Sequence, residues 1–308
     1  MVFGIFTILL GCLCGLFVPL MLLGQLAAPK ATQTSISALL PAMMMYGGLA
    51  VALVWLGIGS IKARRWARAL LLIFSWSWLV MGLVVLALMA FVMPKIMANM
   101  PASGSPNQPA LPPEAMAAAM TVMLVVFGVI FIILPAAWVF FYKSEHVKNT
   151  CEIRDPVTRW TDACPLPVLG FCLWLFLGVP MLLIMPLTGH CVMPFFGMFL
   201  TGLPGALLCL AIAVIWGYSG WSLFKLESRG WWLILIALCV SMVSGLLTFA
   251  RHDAVEMYQL MNYSQAQIEE MQKTGLLQGQ SMKWLTVYSM LPFLIYLLCI
   301  KKFLRRPV

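Results

Sequence analysis

The residues with the softest donor atoms in this 308-residue chain are nine cysteines, three histidines and 23 methionines. His146, Cys151 and Cys164 form an H-x4-C-x12-C array. A structural zinc site wants four ligands, usually with one closely spaced cysteine pair. The array offers three ligands and no short pair, so zinc is not expected. Met89, Met93, Met97 and Met100 recur at helix-like spacing, and Met116, Met120 and Met123 follow. His190-Cys191-Val192-Met193 adds imidazole and thiol. Together these donors suit Cu(I). Methionine also fills irregular apolar packing, and this chain is apolar everywhere. Packing is the preferred reading, and no metal or other cofactor is expected. Cys12, Cys14, Cys172, Cys209, Cys239 and Cys299 fall within hydrophobic stretches, where cysteine behaves as a small hydrophobe.

Gly217-Tyr218-Ser219-Gly220 resembles the Gly-x-Ser-Gly of rhomboid intramembrane proteases. A serine nucleophile needs a histidine base within hydrogen-bond reach. No hydrophobic stretch has a central histidine, and His190 and His252 belong at the end opposite Ser219. There is no H-E-x-x-H, no glycine-rich phosphate loop and no pair of carboxylates inside a stretch. The chain therefore reads as a non-enzyme. The centres of the stretches also lack Asp, Glu, Lys, Arg and His, the residues that mark ion paths. Gln25, Ser75, Ser77, Ser241, Ser244 and Thr248 are the polar exceptions. Ser75, Ser77 and Gly82, with Ser241, Ser244 and Gly245, read as close-packing contacts between helices.

The elements that carry these residues are spans. Hydrophobic residues make up 63% of the chain and charged residues 9%, against roughly 25% charged in a soluble domain. Mean hydropathy is +0.98. This excludes a soluble enzyme, a disordered chain and a fibrous repeat. A spanning helix needs about 20 apolar residues. Eight stretches qualify: Phe3–Ala27, Ser37–Ser60, Trp66–Met93, Met116–Tyr142, Leu166–Leu187, Met193–Gly217, Gly230–Ala250 and Met282–Ile300. The sixth carries Pro194 and Pro204, so it is expected to begin as a broken or re-entrant segment. The fold class is an all-α polytopic membrane protein.

Lys and Arg collect on the cytoplasmic side of a membrane. With the N-terminus inside, the inner segments hold Lys62, Arg64, Arg65, Arg68, Lys143, Lys148, Arg154, Arg159, Lys225, Arg229, Lys301, Lys302, Arg305 and Arg306. The outer ones hold Lys30, Lys95, Arg251, Lys273 and Lys283. The bias predicts N-in and C-in. It also accounts for the net charge of +9 without nucleic acid. Leu9-Leu10-Gly11-Cys12 looks like a lipoprotein cleavage box, but no Lys or Arg precedes it. The first span is expected to stay.

Val18-Pro19-Leu20-Met21-Leu22-Leu23 returns as Val179-Pro180-Met181-Leu182-Leu183 at an offset of 161 residues. Trp55 falls on Trp216 and Gly59 on Gly220 at the same offset. Leu134-Pro135 resembles Leu291-Pro292. These matches predict a parallel tandem repeat of four helices plus four: residues 1–142, a cytoplasmic linker at 143–165, and residues 166–308. Pro19, Pro180, Pro135 and Pro292 are the candidate kink positions, where matched kinks can mark a site between the halves.

The outer loop Pro94–Glu114 reads as an extended connection. In Arg251–Gln280, Met257, Leu260, Met261, Ile268 and Met271 recur at helical spacing, and Ser264 with Gln267 resembles a capping box. An amphipathic helix on the outer surface is expected. The linker Lys143–Cys164 has four basic and four acidic residues. Asp155-Pro156 should turn the chain, and Thr161 or Asp162 should cap the fifth span. Within it, Arg154, Asp155, Arg159, Trp160 and Asp162 are the candidate docking residues. The expectation is a non-catalytic subunit or scaffold of a bacterial-type inner membrane. Its partners would be the bilayer and a second protein or copy. The alternative is a transporter or lipid-handling carrier for an apolar or neutral solute.

Overall fold

The computed structural model describes residues 2–27, 36–99, 113–188, 191–261, 263, 265, 268–269, 272 and 279–304. The first half contains α1 (Val2–Ala27), α2 (Ile36–Ile61) and α3 (Arg65–Asn99). A fourth span follows in two pieces, α4 (Pro113–Gly128) and α5 (Leu134–Lys143), joined by the π-helical turn Val129–Ile133. A short helix, α6 (Glu145–Arg154), and a 3-10 turn, Trp160–Asp162, make the linker. The second half contains α7 (Leu166–Ile184), the hairpin β1 (Val192–Phe195) and β2 (Met198–Thr201), α8 (Gly202–Phe224), α9 (Ser228–Arg251), α10 (Ala254–Leu260) and α11 (Gly279–Ile300). Among the described residues, eight helical segments are long and apolar enough to cross a membrane.

The spans bury little, as lipid-facing helices should. Val2 is 78% exposed and Leu26 80%, positions that water would penalise and lipid does not. Burial among the described residues falls into two larger clusters and a small third one around Phe249 and Ala254. Leu56, Leu71, Leu72, Trp138, Val139 and Tyr142 pack between α2, α3 and α5. Phe171, Cys172, Leu175, Leu223, Trp231, Ile234 and Leu297 pack between α7, α8, α9 and α11. In the first half α1 lies along α2 and α3 along α5; in the second α7 lies along α8, and α9 along both α8 and α11.

Small residues set the closest approaches. A Cβ on Gly4 would stand 3.0 Å from the Gly57 carbonyl, and one on Gly57 would stand 2.8 Å from the Gly4 carbonyl. The backbones of α1 and α2 can meet there only because neither residue has a side chain. The two halves meet through α3 and α7. Trp174 Nε1 donates to Ser77 Oγ at 2.9 Å, and Gly170 faces Ile73.

The π turn follows from Pro135. Proline has no N–H for the Phe131 carbonyl four residues back. The turn widens, and Leu134 N–H donates to Val129 O instead. A Cβ on Gly82 of α3 would run into the Phe131 carbonyl, so the π turn can approach α3 there only because Gly82 has no side chain.

The sixth span differs from the expected Met193–Gly217. Residues Val192–Thr201 form an antiparallel hairpin with Phe195 opposite Met198, and the helix starts only at Gly202. The two loop residues, Phe196 (φ 42) and Gly197 (φ 93), both have positive φ, the primed turn that suits strand twist. Pro204 sits in the first helical turn, where a missing N–H costs nothing. The fifth span is not capped by Thr161 or Asp162. Pro165 occupies the cap position, and Leu169 N–H donates to its carbonyl at 3.0 Å. In Arg251–Gln280 the described helix is α10, and Ile268 is buried. Ser264, Gln267 and Met271 lie outside the described residues, as do His190 and Met100.

Candidate functional site: a charged platform at the basic span ends

The linker is ordered by its own polar residues. Lys143 ends α5, and Ser144 turns the chain out of the helix (φ −61, ψ 142). Ser144 Oγ accepts from Val147 N–H at 3.4 Å and caps α6. Glu145 in the first turn and Arg154 in the last complement the helix dipole. Asp155 stops the helix because Pro156 disfavours helical geometry before it.

Asp155 then points inward and is 1% exposed. Its Oδ1 accepts from Arg64 Nη1 at 3.5 Å and Arg159 Nη2 at 3.4 Å. Asp162 works one turn later. Its Oδ2 accepts from Arg159 N–H at 3.0 Å and lies 3.7 Å from Arg65 Nε. Both carboxylates therefore tie the linker to the α2–α3 turn, where Ala63 is left-handed (φ 51). Burial pushes the Asp155 carboxyl up. The Arg159 bond and charge, the Arg65 amide and the Arg64 charge outweigh it, so the group is held below its ordinary value.

A second set of bonds joins the span ends. Arg68 Nε donates to the Tyr142 carbonyl at 3.0 Å. Tyr142 Oη and Ser60 Oγ are hydrogen-bonded at 2.8 Å. Two cavities flank this junction, and Arg68 and Cys151 line both. One, of about 290 Å³, is lined by Ser60, Arg64, Tyr142, His146 and Arg154 among others. The other, of about 370 Å³, is lined by Arg65, Lys148, Glu152, Asp162 and Cys164 among others.

Of the five candidate docking residues, Asp155 and Asp162 face the protein, Arg159 is shared between them, and Arg154 and Trp160 face outward. Beside them stand two residues that charge patterning does not reveal. Ile153 is 80% exposed and Val157 57%, with Trp160 at 48%. All three lie outside the membrane-spanning segments, so the hydrocarbon layer does not cover them as it covers Val2; a linker lying on the headgroups is the other reading, and Trp160 suits that layer.

The four prolines are not gathered into one site. Pro19 and Pro180 are exposed on their helices, Pro292 is half-buried, and Pro135 is buried beneath the π turn. Ser219 is buried in α8, and its Oγ has no hydrogen-bond partner among the described residues. A Cβ on Gly230 of α9 would come within 2.8 Å of the Ser219 carbonyl. The Gly-x-Ser-Gly segment thus serves helix packing. Cys151 and Cys164 are buried thiols. Burial raises both: it outweighs Arg68 at Cys151 and takes Cys164 to about 11. Among the described residues no cluster of His, Cys, Asp and Glu could hold a metal ion.

A second polar cluster lies at the opposite span ends. The hairpin tip rests on α9: Phe196 N–H donates to Ser244 Oγ at 2.9 Å and Gly197 N–H to Thr248 Oγ1 at 3.0 Å. Ser244 donates back to the Pro194 carbonyl at 3.1 Å. The His252 ring bridges Glu256 Oε2 (2.6 Å) and the Gly197 carbonyl (3.0 Å). Cys191 and Cys209 bring their Sγ atoms to 3.4 Å beneath it. The sequence signals Ser244 and Thr248 only as intramembrane polar residues; their partners are the backbone of another element, which no local pattern encodes. Comparison with protein families, with curated proteins and with solved structures returns no match.

Proposed function

We propose that the protein is a non-catalytic membrane subunit or scaffold, and that the platform around α6 is where its partner docks. The observation that carries this is the exposure of Ile153, Val157 and Trp160 beside Arg154, on a segment outside the spans that ion pairs hold rigid. Exposed apolar side chains together with an aromatic and an arginine are residue types enriched at interaction sites. The rigid backing lowers the ordering cost of binding. Two cavities also open at this platform.

The same reading takes the chain as a tandem repeat, 1–142 and 166–308, joined by the linker. Its support is the matched pairing of α1 with α2 and α7 with α8, and of α3 with α5 and α9 with α11. The basic platform is placed in the cytoplasm, giving N-in and C-in in a bacterial-type inner membrane. Photocrosslinking in native membranes tests the docking surface. A photoreactive residue at position 153 or 160 is expected to give one defined protein adduct. The same residue at Phe140, which is 77% exposed within a span, is expected to give none. Absence of a protein adduct from both platform positions overturns the proposal.

A further inference from the structure

Arg68 is a half-buried guanidinium in the first turn of α3. Its Nε is fixed on the Tyr142 carbonyl. Among the described residues, neither terminal nitrogen has a hydrogen-bond partner and no carboxylate lies within 4.0 Å. A charge withdrawn from water needs a counter-charge. Glu152 and Asp162 act on it from the other cavity that it lines, but neither carboxylate reaches its terminal nitrogens. The cavity of about 290 Å³ that Arg68 lines also carries Arg64, Arg154 and His146 and no acidic side chain. Asp155 binds Arg64 and Arg159 from behind, through its Oδ1. Three guanidiniums thus converge on one space. Guanidinium forks match the oxygens of phosphate.

The cavity also has a definite level. It is formed by the last residues of the second and fourth spans, Ser60, Ile61, Phe141 and Tyr142, and the first turn of the third. Span ends lie at the headgroup layer of a bilayer. The apolar residues Ile61 and Phe141 lie on the span side, and the hydroxyls of Ser60 and Tyr142 line the same wall. Basic pockets between helices at this level bind anionic headgroups. A drug-sized ligand fills roughly 300–1,000 Å³, so this space suits a smaller group.

The geometry points to a binding site for a phosphate-bearing anion between α2, α3, α5 and α6, with Arg68 at its centre and Arg64 and Arg154 at its rim. The phosphate comes either from a lipid headgroup or from a free phosphate-bearing solute. The site shares Arg154 with the docking patch, but the patch's apolar residues Ile153, Val157 and Trp160 do not line the cavity.

The test uses the full chain in neutral detergent. Native mass spectrometry follows titration with short-chain phosphatidic acid and, as the zwitterionic control, phosphatidylcholine. Thermal melting with inorganic phosphate runs in parallel. One phosphatidic acid per chain is expected, retained over the control. Arg154→Gln is the cleaner variant, because Arg154 is exposed and makes no ion pair among the described residues. It is expected to weaken binding about fivefold, the effect of one basic residue on an anionic lipid phosphate. Arg68→Gln is expected to weaken it further. Lys143→Gln, exposed on the same face but outside the cavity, is expected to change nothing. Lipid retained against excess inorganic phosphate assigns the headgroup as source. A phosphate-induced rise in melting temperature, abolished by Arg154→Gln, assigns a free solute. The proposal is overturned if neither anion binds above the control, or if Lys143→Gln weakens binding as much as Arg154→Gln.

Discussion

Asp155 shows how one residue can organise a segment whose own sequence does not reveal the role. Its neighbours in the chain mark Lys143–Cys164 as a dense polar stretch, which suggested docking. Its partner Arg64 is 91 residues away, beyond the reach of any local pattern, so an inward structural role was not legible. Charge alone says that a residue is polar; it does not say whether it faces a partner or its own fold. Asp155→Asn keeps the shape and leaves Arg64 and Arg159 without a shared anion. It is expected to lower the melting temperature in detergent and to open Arg154 and Arg159 to trypsin. The pH dependence has a definite sign. A carboxyl held below its unfolded value, about 3.9, stabilises the fold above that value and loses the contribution as pH falls through the folded value. Melting of the native chain should therefore decline below about pH 4 more steeply than melting of Asp155→Asn. Parallel acid profiles for the two proteins would count against the inward role.

Two elements carry the departures from straight helices, and the sequence marked the position of each without its form. Leu134-Pro135 announced a kink; the structure answers with a π turn whose freed carbonyl docks on Gly82. Gly82 itself was legible as a small residue on a span, but its partner was not. Gly82→Val puts a branched side chain where the Phe131 backbone already lies. The overpacking should cost about 1–3 kcal/mol of stability, measured by denaturant or thermal unfolding in detergent. An unchanged melting temperature would show that α3 and the π turn do not meet there. Pro194 and Pro204 likewise announced a broken sixth span. The hairpin was hidden because Val-Met-Pro-Phe-Phe-Gly-Met-Phe-Leu-Thr has no polar turn residues and reads as more span. Its tip depends on Thr248, which accepts the buried Gly197 N–H. Thr248→Val leaves that donor unpaired and should cost about 1–3 kcal/mol. Phe196 holds φ 42 without a glycine's freedom. Asn tolerates that region better, so Phe196→Asn is expected to be neutral or to stabilise by up to about 1 kcal/mol. A large loss from Phe196→Asn would mean that the ring, not the turn, holds the hairpin.

At the scale of the whole chain, apolar composition made the eight spans readable, because lipid demands a long continuous apolar run from every crossing. The proposed repeat has a fainter signature, because only its proline, tryptophan and glycine anchors stand out from interchangeable leucines and valines. The sidedness of the fold rests on the crossing count, and there the hairpin is decisive. Each of its strands has four residues, about 13 Å at ~3.3 Å per residue, against a hydrocarbon core of about 30 Å. It cannot cross, so α7 and α8 have only the hairpin's return between them and remain adjacent crossings of opposite direction. Three crossings, α7, α8 and α9, then separate Asn149 on α6 from Gln265 beyond α10. An odd number places these two exposed residues on opposite sides. Single cysteines at each position, in a chain whose exposed Cys12, Cys239 and Cys299 are replaced by alanine, can be probed with a membrane-impermeant maleimide. If the basic platform lies inside, as proposed, the reagent labels Gln265→Cys at once in intact cells and Asn149→Cys only after permeabilisation. The reverse order would invert the topology while keeping the crossing count. Labelling of both from one side would mean that the hairpin region, short as it is, changes the number of crossings.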